Sequence, residues 1–172
     1  RIYGKAGEEV ARFLFKREER RIWFLDGTEE YGKAVWQGMQ KIFSKKGCCL
    51  EEEQYLEIPK DRDLRRMFYK IRLAGLALSA DMLVFASAVQ GAEAVGYLHD
   101  LEIKVPEEIE VIAVGKEETA LICRPQLTTV EFDKKRLVRQ AIEELYVQII
   151  KGYILTKSGK ISVKTIIRGS CN

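Results

Sequence analysis

Three short apolar runs, separated by longer stretches with helical periodicity, constrain the fold of this chain more than any other feature. The runs are "RIWFL" (21–25), "MLVFA" (82–86) and "IEVIAV" (109–114). Each has the length of a strand and is too apolar to face water on one side, which predicts a parallel sheet that is buried on both faces. Strands that alternate with helices in this way are joined by right-handed crossovers. The sequence therefore predicts an α/β fold, a parallel sheet flanked by helices.

The helices between these runs are predicted from apolar residues at helical spacing. Helices are expected over 8–16, over 31–46 with a stop at Gly47, from a cap at Asp61 onward, and over 88–101. The helix after Asp61 has one evident apolar face, to which these residues belong: Leu64, Met67, Phe68 and Ile71.

Length and charge narrow the class of protein. The 172 residues suit one sizeable domain, and the longest apolar stretches are far shorter than a bilayer span. No segment near Arg1 has the pattern of a signal peptide, so we expect a soluble, cytoplasmic protein without membrane contact. The net charge is +3, and its excess of cations lies in a tail in which "KISVKTIIR" alternates polar and apolar residues. This alternation indicates lysines on the solvated face of a strand rather than a nucleic-acid site.

Residues that could carry catalysis are sparse. The chain has one histidine and four cysteines, none of them in metal-ligand spacing, so we expect reduced thiols, no metal site and no cofactor. No nucleophile elbow, Walker A sequence or dinucleotide-binding fingerprint is present. Asp26 follows the first strand, where a phosphorylated or metal-binding carboxylate could lie, but its only close acids sit at a helix start. A structural role for Asp26 is favoured, and we predict that the chain is not an enzyme.

Five sequence blocks, in order, resemble the lactose-repressor/galactose-repressor (LacI/GalR) family of transcription regulators. They are "GEEVARFLFKREERRIWFLDG", "VWQGMQKIF", "SADMLVFASAVQGAEAVGYLHDLEIKVPEEIEVIAV", "RPQLTTVEFD" and "IIRGSC". The second resembles the family's R-x-x-G-f helix, the third its N-D strand end and G-f-D segment, and the fourth its L-T-T-v crossing. The blocks cover nearly the whole chain, and the resemblance implies the second half of an effector-binding domain.

This resemblance implies a division of the chain between two Rossmann-like lobes. Residues 1–127 and 153–172 would form the C-terminal, second lobe of a periplasmic-binding-protein-like fold. Residues 128–152 would be the crossing and a helix that belongs to the first lobe, most of which is absent from this sequence together with the helix-turn-helix and the hinge. The implied function is the effector-binding and dimerisation part of a bacterial regulator, which senses a small molecule and controls DNA binding by the absent domain.

The ligand positions that the resemblance implies have lost the family's charges. Where the family presents an arginine and two aspartates, this sequence has Val35, Ala88 and Gly115. A hydrogen bond to a charged group contributes about 1.5–3 kcal/mol, so a typical sugar should bind poorly. An apolar cleft with one cation suits a less hydroxylated or anionic ligand, or no ligand. The positions assigned to the cleft are Tyr31, Val35, Ser87, Ala88, Gly115 and Lys116.

A long amphipathic helix near the end of the chain needs a partner that the absent lobe would supply. Its apolar face contains Leu137, Ala141, Leu145 and Ile149, flanked by Val138, Ile142, Tyr146 and Ile150. We expect this helix either to fold back on its own sheet or, preferably, to pair two chains in a homodimer, by exchange across a hinge at 127–130. Two other functions stay open, a periplasmic sugar-binding protein of the same fold and a small α/β enzyme.

Overall fold

A computed structural model describes residues 2–17, 21–28, 30–151 and 162–172, and these alternate between helix and strand. The helices are α1 (Ile2–Lys16), α2 (Gly32–Lys45), α3 (Arg62–Leu78), α4 (Ala88–Asp100), α5 (Glu117–Ala120) and α6 (Lys134–Lys151). The strands are β1 (Ile22–Asp26), β2 (Tyr55–Glu57), β3 (Met82–Phe85), β4 (Glu110–Val114), β5 (Thr128–Phe132) and β6 (Val163–Ile166), and a 3-10 turn spans Glu52–Gln54. No helix of the described residues is long and apolar enough to cross a membrane.

The strands form one sheet in the order β2-β1-β3-β4-β5-β6. The first five strands are parallel, and β6 pairs antiparallel with β5 at the edge. The predicted parallel α/β sheet is confirmed. The three apolar runs occupy its centre as β1, β3 and β4, whereas the short edge strand β2 was not predicted.

Both faces of the central strands are buried, as their composition predicts. Along β3, Met82 and Val84 enter a core beneath α1 and α2. Leu83 and Phe85 enter a second core beneath α3 and α4. The alternating side chains of one strand thus serve two separate cores, which explains why the run has no polar residue.

Helices α1 and α2 touch through glycine. A Cβ atom at Gly7 would lie 1.9 Å from the carbonyl oxygen of Val35, and one at Gly38 would lie 2.0 Å from the carbonyl oxygen of Gly4. The two helix backbones can therefore approach only because these positions carry no side chain. The crossing fixes the position of α2, and with it the loop from β1 to α2, relative to α1.

The apolar face predicted for α3 is not the packed one. Its buried residues are Tyr69, Leu73, Leu76 and Ala77. Leu64, Met67 and Ile71 are more than half exposed, and Phe68 is only partly buried. The helix has apolar residues on more than one side, and periodicity alone could not show which side meets the sheet.

The segment before the C-terminus locks β5 to the sheet. The backbone amide of Thr128 donates to Ser170 Oγ (2.7 Å), which donates to the carbonyl oxygen of Val111 (2.6 Å). The buried guanidinium of Arg168 donates to Leu127 O (3.0 Å) and to Glu131 Oε1 (3.0 Å). Lys164 is exposed on β6, as predicted for the lysines of the tail, whereas Arg168 belongs to this lock.

The crossing predicted to begin at residue 128 starts with a strand of the sheet. Residues 128–132 are strand β5, which pairs in parallel with β4. The division into two lobes and the hinge at 127–130 stay predictions. The chain leaves the sheet at Asp133. It re-enters the sheet as β6. The prediction that the second lobe resumes at residue 153 falls on a residue outside those that the structure describes.

Helix α6 stands away from the sheet. Val138, Ile142, Leu145, Tyr146, Ile149 and Ile150 are all more than half exposed. The side chain of Leu137 lies outside the description. The expectation that α6 folds back on its own sheet is wrong, since these six apolar side chains remain in water.

Candidate functional site

A cleft of about 710 Å³ opens at the carboxyl ends of β3, β4 and β5. Five of the six residues predicted for it line this cleft: Tyr31, Ser87, Ala88, Gly115 and Lys116. Val35 does not, because it is fully buried in the core and its backbone lies against Gly7. The prediction for Val35 is wrong: its turn of α2 faces α1 rather than the cleft.

One wall of the cleft is aromatic. The rings of Tyr3 and Tyr31 are stacked, with centroids 4.3 Å apart and an interplanar angle of 15°. Phe132 meets Tyr3 edge-on at 5.4 Å. Burial raises the pKa of Tyr31, and a hydrogen bond with Ser87 opposes that shift, so the phenol is neutral at physiological pH. Sequence reasoning missed Tyr3 and Phe132, which come from the first turn of α1 and the end of β5.

Three lysines also line the cleft: Lys116 after β4, Lys135 on α6 and Lys164 on β6. All three are exposed, and none forms an ion pair with another described residue. Two acidic residues of the lining are less available to a ligand, because they already accept hydrogen bonds from the protein.

Those two acids, Glu131 and Asp133, are held by the protein itself. Glu131 Oε1 accepts from Arg168 at 3.0 Å and from Thr129 Oγ1 at 2.6 Å. Asp133 Oδ1 accepts from the backbone amide of Arg136, at the start of α6. Because Arg168 neutralises Glu131, the three lysines of the lining face two uncompensated acids, Glu118 and Asp133, and the cleft has an excess of positive charge.

Asp26 is a structural residue, as the sequence favoured. Its carboxylate is buried and accepts from the backbone amide and hydroxyl of Thr28, both at 2.7 Å, and from the hydroxyl of Tyr55. Burial and the bond to Asp26 raise the pKa of Tyr55. With its oxygens occupied, Asp26 ties β1 to the following loop and to β2.

A smaller pocket of about 340 Å³ shares Tyr31 and Ser87 with the cleft and is also lined by Gln90. Gln90 is only 7% exposed. Its Oε1 accepts from the backbone amide of Gly27 at 3.2 Å. Its Nε2 forms no hydrogen bond with another described residue.

The position of Gly115 explains one lost charge. A Cβ atom there would lie 2.3 Å from the Cβ of Ala88 and 3.0 Å from its backbone nitrogen. An aspartate at 115 would thus collide with the start of α4. Gly115 and Ala88 are packed so closely that residue 115 cannot carry an acidic side chain.

Among the described residues, no group of three or more histidine, cysteine, aspartate or glutamate side chains is placed to hold a metal ion. The four cysteines are free, as predicted. Burial raises the pKa of the Cys171 thiol to about 12, which makes it unreactive.

An open parallel sheet with helices on both faces and a cleft at its carboxyl edge is the architecture of a Rossmann-like α/β lobe. The chain belongs to the periplasmic binding protein-like domain family, whose sequence model matches residues 11–171. No match is found among curated protein sequences.

Solved structures of transcription regulators share this fold. The Escherichia coli transcriptional repressor ascG is 19% identical, with a TM-score of 0.80 over 98% of this chain and 61% of its own. The transcriptional regulator LacI of Bacillus cereus subsp. cytotoxis NVH 391-98 is 20% identical, with a TM-score of 0.77 over 100% and 61%. GntR of Chromobacterium violaceum is 22% identical, with a TM-score of 0.76 over 98% and 62%. The chain therefore spans about three fifths of the length of the structures it matches.

Proposed function

We propose that this chain is the effector-binding and dimerisation part of a cytoplasmic, LacI-type bacterial transcription regulator. The observation that carries this proposal is the cleft at the carboxyl edge of the sheet, in a fold shared with transcription regulators. A small molecule in the cleft would control DNA binding by a helix-turn-helix outside these 172 residues. Residues 134–151 would belong to the first lobe, which would close over the ligand.

A ligand screen with blocked-cleft controls tests the effector role. Small-molecule metabolites are screened by thermal shift against the chain, its Ser87→Trp variant, which fills the cleft, and its Lys70→Trp variant, changed on an exposed position of α3. Effectors should raise the Tm of the unchanged chain and of Lys70→Trp but not of Ser87→Trp. Each hit is then added to the regulator that contains this chain, bound to its DNA site.

Linkage requires a ligand that favours one state of a regulator to change its DNA affinity, by typically 5- to 150-fold. Hits that stabilise both variants equally, or that leave DNA affinity unchanged, would contradict the effector role.

We further propose that α6 is covered by a second copy of this chain when the chain is alone. Six large apolar side chains of α6 are more than half exposed, and each forgoes about 1.5–3 kcal/mol of burial in water. Light scattering should show a dimer that Ile142→Lys dissociates and that Gln148→Lys, on the same helix, leaves intact. A monomer at all concentrations would refute this pairing.

A further inference from the structure

We propose that the cleft binds an aromatic carboxylate, with the ring against the tyrosine wall and the carboxylate at the start of α4 beside Lys116. This inference rests on the proposed function, because it names the class of effector that the cleft would hold.

The ring has a site prepared for it. Tyr3 and Tyr31 are stacked and partly buried at the edge of the cleft, and Phe132 braces Tyr3 from the side. An aromatic side chain held by its neighbours loses little freedom when a ligand packs against it, and aromatic pairs favour stacked or edge-on contact. A planar ring therefore fits this wall better than a puckered polyol.

The carboxylate has a site at the start of α4. The first turn of a helix leaves backbone N–H groups without helical partners, and these carry a partial positive charge. Ser87, the N-cap of α4, makes no side-chain capping bond, and Ala88 brings no carboxylate of its own. Lys116 lies in the same cleft, so an anion here meets a cation and unpaired donors together.

Gln90 supplies a further hydrogen-bond donor next to this wall. The residue is 7% exposed, its Oε1 accepts from the backbone amide of Gly27, and its Nε2 donates to no described protein atom. Gln90 lines the smaller pocket that shares Tyr31 and Ser87 with the cleft. A ring substituent with a lone pair, such as a hydroxyl or carbonyl oxygen, would accept a hydrogen bond from Nε2.

The available charge in the cleft discriminates against sugars. Sugar hydroxyls usually form hydrogen bonds with carboxylates and guanidinium groups. In this cleft, the carboxylates of Glu131 and Asp133 already accept hydrogen bonds from the protein. Gly115 packs so closely against Ala88 that no acid fits there. A neutral polyol would gain few bonds while an aromatic anion would satisfy the ring wall, the lysine and the helix start.

Four probes distinguish the contribution of the aromatic ring to affinity from that of the carboxylate. They are 4-hydroxybenzoate, its neutral amide 4-hydroxybenzamide, the saturated acid trans-4-hydroxycyclohexanecarboxylate, and glucose. Calorimetry on the 172-residue chain measures each Kd, and backbone amide shifts of Tyr31 and Gly115 locate the ligand. We expect 4-hydroxybenzoate to bind at least about tenfold more tightly than each of the others, since one hydrogen bond to a charged group is worth that factor.

Variants assign the contacts. Lys116→Ala should lower the acid-to-amide affinity ratio at least about threefold, and Lys70→Ala, an exposed lysine outside the cleft, should leave it unchanged. Gln90→Met should weaken 4-hydroxybenzoate and leave benzoate unaffected. Equal changes for both acids would mean that Gln90 acts only on the fold.

Each result of the probe series decides something. An amide that binds as well as the acid overturns the anion site, and a saturated acid that binds as well as the aromatic one overturns the ring site. If glucose or another non-aromatic ligand shifts the cleft residues more strongly than 4-hydroxybenzoate, this inference fails while the proposed function stands. If no ligand of any class shifts the cleft, both fail.

Discussion

Replacing Gly7 by alanine should destabilise the chain although alanine is the better helix former. The new Cβ would lie 1.9 Å from the carbonyl oxygen of Val35, whereas ordinary contact begins near 3.4 Å, so α1 and α2 must separate by about 1.5 Å. Forcing extra volume into a packed core costs about 1–3 kcal/mol, and a displacement of this size belongs at the upper end. The gain in helix propensity offsets about 1 kcal/mol. We expect a net loss of about 2 kcal/mol.

Gly75→Ala is the matched control, because nothing lies within 4 Å of a Cβ at Gly75 on the exposed side of α3. The same change there should stabilise the chain by about 1 kcal/mol. In a domain of this size 1 kcal/mol moves the Tm by about 2–4 °C, so the two variants should move it in opposite directions. Urea and thermal unfolding measure both. If Gly7→Ala stabilises the chain as much as Gly75→Ala does, the close crossing of α1 and α2 is not as described.

Four further results are expected. The pKa of Glu8 is lowered from 4.5, first by Lys41 and then by Arg12, so its ion pairs stabilise the fold above pH 4.5 and this stabilisation is lost as the pH falls through the folded pKa. Glu8→Gln should therefore lower the free energy of unfolding by no more than about 1 kcal/mol in urea at pH 7, and by less below pH 4.5. Gly115→Asp should lower the Tm by calorimetry without creating glucose binding, and a stable variant that binds glucose would refute the steric reading of the cleft floor. Maleimide labelling followed by mass spectrometry should modify exposed Cys49 in the folded chain and Cys171 only after unfolding, so early labelling of Cys171 would contradict its burial. Fluorescence anisotropy should show weak, salt-sensitive DNA binding, and sequence-selective binding at physiological salt would overturn the view that base readout lies outside this chain.

The elements that could be predicted are those whose burial is evident from the composition of one segment alone. Strands β1, β3 and β4 are buried on both faces, so each reads as an apolar run regardless of its neighbours. Strand β2, at the sheet edge, is three residues with no buried member and has no such signature. The packed side of α3 depends on which face the sheet meets, and that information lies in other segments.

The residues of the cleft also divide into those that could be predicted from one segment and those that could not. Ser87, Ala88, Gly115 and Lys116 follow central strands, whose carboxyl ends meet at one edge, so their placement could be inferred from topology. Tyr3 joins them only because α1 crosses α2 at Gly7, a contact of two helices that no spacing rule anticipates. Val35 occupies a ligand position by resemblance, but the same crossing turns its side chain into the core.

The lock formed by Ser170 has a consequence for the order of synthesis. The amide of Thr128 and its acceptor Ser170 are 42 positions apart, so strand β5 is synthesised before the residue that fastens it. At about 5–20 residues per second this interval lasts about 2–8 s, during which the edge of β5 that β6 will cover has no partner from its own chain. A nascent chain stalled or truncated within that interval would expose a free parallel-sheet edge, a surface that chaperones recognise and that other chains can extend.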